Sequence, residues 1–239
     1  MIRPVLSLLY PAHCASCGCS LLKRGEETIN DDHYLCNECR GGVLPPASHL
    51  CPMCSHPMVG ITSCNNCDGR QWHLTAIVAA CRYEGVGGEL IKRFKYGKDP
   101  TLAPVLGDLL IKALSDRRLV GKKFDTIVPV PLHPLRERER EFNQSALLAA
   151  RLGKYLGVPV DSLLRRTRDT APQAGLDRSR RMENLQGAFE CRKLSSAREG
   201  GSVLLVDDVT TTGATLDACA IVLREAGITE VTAVVVARG

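Results

Sequence analysis

The chain has 239 residues, of which 44% are hydrophobic, and its formal net charge is +5. That length allows one large domain or two modest ones, and that hydrophobic content excludes disorder over most of the chain. Aromatic residues make up only 4%, so the core must be built from Val, Leu, Ile and Ala, which favours alternating strands and helices over an aromatic-rich sandwich.

The opening segment, MIRPVLSLLYPAHC, has one arginine and a short apolar stretch broken by prolines. It lacks the apolar run and small-residue cleavage site of an export signal and reads as mature sequence. No segment reaches the roughly 18 uninterrupted apolar residues of a membrane span. A cytoplasmic location is therefore expected, where thiols stay reduced or hold metal, and the twelve cysteines do not read as a disulfide framework. Nine of them precede Gln71, while Cys81, Cys191 and Cys219 stand alone after it. This asymmetry, with the change from interrupted to long apolar runs near Trp72, divides the chain into residues 1–72 and 73–239.

Cys14-Ala-Ser-Cys17, Cys36-Asn-Glu-Cys39, Cys51-Pro-Met-Cys54 and Cys64-Asn-Asn-Cys67 are four successive C-x-x-C pairs. Each presents two thiolates on a tight turn, and two such turns close a tetrahedral zinc site, so the eight thiolates fit two structural zinc ions. Sequential pairing closes the shorter loops and costs the least chain entropy; an interleaved pairing remains open. A thioredoxin-like redox motif would sit between a strand and a helix, whereas these pairs sit among turn residues. Cys19 reads as a bystander, and His13, His33, His49, His56 and His73 as ordinary loop residues.

The second half begins with the apolar run LTAIVAACRYEG after His73. Asp125-Thr-Ile-Val-Pro-Val-Pro131 predicts a strand leading into a segment that carries Arg136, Arg138 and Arg140, side chains that suit phosphate oxygens. Residues 164–184 are polar, basic and without periodicity, the composition of a lid or binding loop. Val203 to Val206 predict a buried parallel strand ending at Asp207 and Asp208. Threonines and Gly213 follow, and then an amphipathic helix from Leu216 that stops at Gly227. Glu230 to Arg238 reads as another core strand. Ligands of open α/β sheets bind at the carboxyl ends of strands, and a helix N-terminus behind small hydroxyl residues suits phosphate. Paired carboxylates accept hydrogen bonds from ribose hydroxyls and can recruit magnesium. No Walker A loop is present.

VLLVDDVTTTGAT resembles the motif with which type I phosphoribosyltransferases bind 5-phosphoribosyl-1-pyrophosphate (PRPP). The resemblance implies a doubly wound, mostly parallel α/β sheet with helices on both faces, preceded here by a small zinc-ribbon domain. It assigns the ribose hydroxyls to the catalytic acids Asp207 and Asp208, and the 5-phosphate to Thr210, Thr211, Thr212, Gly213, Ala214 and Thr215. Arg136 and Arg138 fall where that family has its pyrophosphate loop. Thr211 stands where hypoxanthine-type enzymes place a purine-contacting aspartate, which disfavours a 6-oxopurine.

The four C-x-x-C pairs followed by FKYGK, VPVPLHP, REFNQ, RTRDTAPQAGLDRSRRMEN and the acid-pair motif resemble the ComF family, in which a double zinc ribbon precedes a phosphoribosyltransferase domain. That resemblance implies a link to competence and natural transformation, with PRPP, magnesium, single-stranded DNA and competence helicase-type proteins as partners. Glu141 replaces the family's usual glycine and puts the backbone of its loop in question. If the domain is catalytic, pyrophosphate leaves C1 of the ribose through an oxocarbenium-like state. Three readings stand: a phosphoribosyltransferase of unknown acceptor, a DNA-uptake accessory that binds single strands and uses the pocket as a sensor, and a zinc-ribbon scaffold with a degenerate pocket. The arginines between Arg136 and Arg198 suit an anionic partner, but few aromatics accompany them, and Tyr34 and Trp72 read as packing residues.

Overall fold

The computed structural model describes residues 13–21, 34–58, 60, 63–168, 185, 187–192 and 200–239. Most of the polar stretch 164–184 lies outside them. In chain order the elements are α1 (Asn37–Gly41), β1 (Ala76–Arg82), α2 (Gly85–Tyr96), a 3-10 turn (Pro100–Leu102), α3 (Ala103–Ala113), β2 (Thr126–Pro129), α4 (Pro134–Arg140) and α5 (Gln144–Leu156). These are followed by β3 (Leu164–Arg166), β4 (Phe189–Cys191), β5 (Ser202–Thr210), α6 (Ala214–Glu225) and β6 (Glu230–Arg238).

Four strands form one parallel sheet in the order β1-β6-β5-β2. Near-continuous apolar runs suit strands covered on both faces, and the two-residue side-chain period sorts them between two cores. Ile77, Ala79, Val203, Leu205, Val231, Ala233 and Val235 pack with Leu216, Ala220 and Leu223 of α6. On the opposite face Val78, Leu204, Val206, Val234 and Val236 meet Leu90 and Phe94 of α2, Leu106 and Leu110 of α3, and Leu148 and Leu152 of α5. Helices thus cover both faces. The antiparallel pair β3–β4 places Leu164 and Phe189 in the core on the α6 side.

β5 is longer than the four-residue apolar run predicts. Asp207, Val209 and Thr210 stay in the ladder opposite Val235, Ala237 and Arg238, because β6 continues as a partner past the point where β5 turns polar. The acids therefore stand on a strand and not on a free loop.

The cysteine turns lie against this sheet on both sides. Cys14 belongs to the core of the α2 face, and Cys51, Cys54 and Cys64 to that of the α6 face. The Ile77 amide donates to the Met53 carbonyl (2.7 Å), and Ser55 Oγ donates to the Ile77 carbonyl (2.7 Å). Among the described residues no helix is long and apolar enough to cross a membrane.

Candidate functional site

Loops at the carboxyl ends of β2 and β5, neighbours in the sheet, converge on the acid pair. Each acid is fixed by a different helix. Ser145 Oγ, in the first turn of α5, donates to Asp207 Oδ1 at 2.8 Å, and the Asp208 amide donates to the same oxygen at 2.9 Å. Lys95 Nζ, in the last turn of α2, lies 2.7 Å from Asp208 Oδ1. Asp208 is only 5% exposed, and a carboxylate so enclosed needs such a partner. Burial and the neighbouring Asp208 charge push the Asp207 carboxyl up to about 7, against the pull of Lys95 and the Ser145 hydroxyl. Burial opposes charge on Lys95, but the Asp208 and Asp207 carboxylates outweigh it and hold the ammonium above its ordinary range.

Beyond the acids the chain turns into α6. Gly213 is its N-cap at φ 77°, a left-handed conformation that glycine adopts without strain. A Cβ there would lie 2.8 Å from Ile77 Cδ1 and 2.9 Å from Trp72 Cη2, so the position excludes a side chain twice over. Thr212 Oγ1 accepts from the Ala214 amide at 3.3 Å. Thr211 is exposed, Thr212 and Thr215 are half-buried, and Thr210 is buried within β5. The first-turn amides of a 12-residue helix make an anion-binding end.

The arginine segment is a seven-residue helix, α4, whose N-cap His133 accepts from the Leu135 amide. Arg136 pairs with Glu139 at 3.1 Å, Arg138 is exposed, and Arg140 donates to Gln144 Oε1 at 3.2 Å with its guanidinium 5.7 Å from the Tyr96 ring centroid. Among the described residues neither Arg136 nor Arg138 forms an ion pair with Asp207 or Asp208. Glu141 ends the helix at φ 71°, a left-handed conformation that favours glycine. Lys98, itself at φ 51°, meets the Glu141 carboxylate at 2.7 Å. The left-handed conformation costs a side chain about 1–2 kcal/mol.

Ser145 was not legible as a site residue, because it lies in an ordinary amphipathic helix, and Lys95, although part of the FKYGK motif, has no role assigned by it. The one local signal near Ser145 is Asn143, the N-cap of α5, which accepts from the Ala146 amide and donates to the Val130 carbonyl (3.1 Å), tying α5 to the end of β2.

The eight thiols form two groups, Cys14, Cys17, Cys36 and Cys39, and Cys51, Cys54, Cys64 and Cys67; within each group the sulfurs all lie within 4.8 Å of one another. The grouping follows the order of the pairs along the chain. Sulfur separations are 3.8 Å for Cys17–Cys36, 3.6 Å for Cys51–Cys67 and 3.7 Å for Cys54–Cys64. A tetrahedron with Zn–S bonds of about 2.3 Å has edges of about 3.8 Å, so both groups fit that ion. Cys19 lies beside Cys17 and Cys36.

Residues 5–68 match the double zinc ribbon domain family, and residues 143–239 match the phosphoribosyl transferase domain family. The chain is 34% identical over 189 residues to the DNA utilization protein YhgH of Salmonella typhimurium, covering 76% of this chain and 80% of that protein. Competence protein F of Haemophilus influenzae is 28% identical over 220 residues (85% and 96% covered), and competence protein ComFC of Bacillus subtilis 27% over 205 residues (83% and 81% covered). Among solved structures, the adenine phosphoribosyltransferase of Thermoanaerobacter pseudethanolicus is 24% identical, with 59% of this chain and 70% of that one covered at a TM-score of 0.38. With both domain families matched in this order, and with relatives of those names aligned over most of their length, the chain belongs to the ComF family.

Proposed function

We propose that the protein binds PRPP with magnesium at the carboxyl ends of β2 and β5, and that it does so in the service of DNA uptake. One observation carries the reading: an acid pair, Asp208 buried and Asp207 half-buried, fixed by Lys95 and Ser145, stands before the glycine-capped N-terminus of α6. In this reading Asp207 and Asp208 accept hydrogen bonds from the two ribose hydroxyls. The 5-phosphate sits on the α6 N-terminus among Thr211, Thr212, Gly213, Ala214 and Thr215, whose amides and hydroxyls supply donors. Thr210 contributes by aligning the loop, since its carbonyl already accepts from the Gly239 amide. Arg136 and Arg138 lie on the short helix after β2 and turn toward the pyrophosphate only when it is present. Magnesium supplies charge neutralisation on the phosphate oxygens. If the domain is catalytic, an acceptor nucleophile of unassigned identity would bond to C1 as the C1–oxygen bond to pyrophosphate breaks, and the nearby carboxylates would stabilise the oxocarbenium-like ribose between them.

Residues 1–72 act as the metal-built part and 73–239 as the sugar-phosphate part, with both zinc ions structural, and the protein works in the cytoplasm. The relatives named for competence and DNA utilization support the uptake role. Isothermal titration with PRPP and magnesium tests the pocket: binding is expected for the native protein and is lost in Asp207→Ala and Asp208→Ala. Absence of heat with the native protein rejects the ligand and leaves a zinc-ribbon scaffold. The arginines between Arg136 and Arg198 and the name DNA utilization protein of one relative support a second reading, a single-stranded DNA contact, and a gel shift that weakens steeply with salt is its test; no shift at low salt rejects it.

A further inference from the structure

The second cysteine group does more than neighbour the phosphate loop. Its last C-x-x-C turn contains Asn66, whose Nδ2 donates to the Thr212 carbonyl at 3.3 Å, and Arg70, just beyond it, donates to the same carbonyl through Nη1 at 2.7 Å. One side chain from a metal-type turn and one from just after it thus hold one carbonyl of the loop that caps α6. Arg70 is fixed in turn. Its side chain is 2% exposed, its Nη2 lies 3.5 Å from Asp217 Oδ2, and its guanidinium stacks 3.5 Å from the centroid of the Trp72 ring. Trp72 closes against Gly213, and the His73 amide donates to Asp217 Oδ1 at 2.8 Å. The segment from Asn66 to His73 therefore grips both the loop and the first turn of α6.

A trans peptide is planar, with its C=O and N–H directed oppositely. No cis bond is present among the described residues, so holding the Thr212 carbonyl toward the ribbon directs the Gly213 N–H away from it. A charged donor on the carbonyl also polarises the peptide unit and strengthens its N–H as a donor. Neither Asn66 nor Arg70 belongs to the phosphoribosyl transferase match, which starts at residue 143.

We infer that Arg70 and Asn66 are positioning residues for the phosphate end of the ligand, acting from the second ribbon through the Thr212–Gly213 peptide. This rests on the phosphosugar reading above. Removal of either loosens the aim of the loop amides and weakens a ligand that bears a 5-phosphate, while pyrophosphate, held at the α4 end, is unaffected.

The test titrates ribose 5-phosphate and, separately, magnesium pyrophosphate into the native zinc-loaded protein and into Arg70→Ala and Asn66→Ala. The expected result is a loss of ribose 5-phosphate affinity of about tenfold for Arg70→Ala and about threefold for Asn66→Ala, a charge-assisted bond being roughly twice as strong as a neutral one. Pyrophosphate affinity should stay within about twofold in both. Arg70→Ala takes from the buried Asp217 its guanidinium partner, leaving only His73 beside it, and is the variant at risk of failing to fold. Asn66, half-buried on a turn, then decides alone. Unchanged ribose 5-phosphate affinity in a folded variant, or equal losses for both ligands, overturns the inference. A native protein that binds neither ligand overturns the phosphosugar reading itself.

Discussion

Two cysteine groups built from the same C-x-x-C turns, with 18 residues between the pairs in the first and 9 in the second, are embedded to different depths. In the first, Cys14 is buried, Cys17 is exposed, Cys36 and Cys39 are half-buried, and the spare Cys19 stands alongside. It meets the sheet through Cys14 and Leu35 in the core of the α2 face, through the Arg82 amide, which donates to the Leu44 carbonyl at 3.0 Å, and through α2, where Arg93 Nη1 donates to the Ala15 carbonyl at 2.6 Å and Gly85 bridges to Val43. In the second, Cys51, Cys54 and Cys64 are buried, Cys54 completely, and are part of a core shared with the sheet and α6. Arg118 donates to the Cys51, Pro52 and Ile77 carbonyls, and Arg238 Nη1 donates to the Cys54 carbonyl at 2.5 Å. The shared C-x-x-C spacing thus specifies the local turn but not how far the rest of the fold depends on it. One group sets a single ligand, Cys14, into the sheet core; the other sets three there, beside the candidate site.

The largest expected effect breaks that symmetry directly. Cys54→Ser removes a buried thiol from a site whose metal supplies folding energy, on the scale of ~10 kcal/mol for structural zinc, so loss of the cooperative melt and of phosphosugar binding is expected. Cys17→Ser should lower the zinc content yet keep both. Metal analysis with thermal melts checks the pair, and equal damage from the two would erase the contrast.

On the α2 side, Lys95→Met strands Asp208 in the interior. A loss of about 3 kcal/mol in urea unfolding is expected, largely restored by adding Asp208→Asn. If Lys95→Met alone is neutral, α2 contributes no charge to the site.

The Asp207 carboxyl provides a smaller, pH-dependent effect. Its folded-state pKa, about 7, lies above the ordinary carboxylate value, so protonation favours the folded state. That contribution is complete below the ordinary value of about 4 and is lost as pH rises through about 7. Hydroxyl recognition needs the carboxylate, so ligand affinity should rise over the same window. Relative to Asp207→Asn, the native protein should lose melting temperature between about pH 5 and pH 8; parallel curves would mean that Asp207 is ionised throughout. The smallest change sits after α2, at the Lys98–Glu141 contact. Glu141→Gly removes a strained side chain at a gain of about 1 kcal/mol, less the exposed ion pair, which is worth a few tenths. Destabilisation would instead make that pair the reason for the residue.

Legibility in the sequence followed the same divide between local and distant. VLLVDDVTTTGAT is contiguous, so strand, acids, glycine cap and helix could be read in order. The C-x-x-C turns are equally local, and the order of their grouping is the one that closes the shortest loops. By contrast, Lys95, Ser145 and Arg70 owe their places to contacts across 113, 62 and 142 positions with Asp208, Asp207 and Thr212. Ser145 and Arg70 lie in segments whose periodicity or turn composition explains them fully without a site, and Lys95 stands in FKYGK, a motif to which the sequence attaches no role. The end of β5 was misjudged for a related reason: a carboxylate pair looks like the start of a loop until a neighbouring strand is known to run beside it. Trp72, read as a packing residue, does pack, but against Gly213 in the loop that caps α6.

The sheet order has a consequence for how the chain is made. β6 lies between β1 and β5, yet it is synthesised after both. Until it emerges from the ribosome, those two strands have a gap between them and present unpaired edges, the surfaces most prone to pairing with other chains. The same strand brings Arg238 to the Cys54 carbonyl, so the second ribbon also waits for its final seat. Such long-range closure slows folding, and a nascent chain stalled before residue 230 should be held by chaperones, with its first cysteine turns already metallated and its central strand still missing.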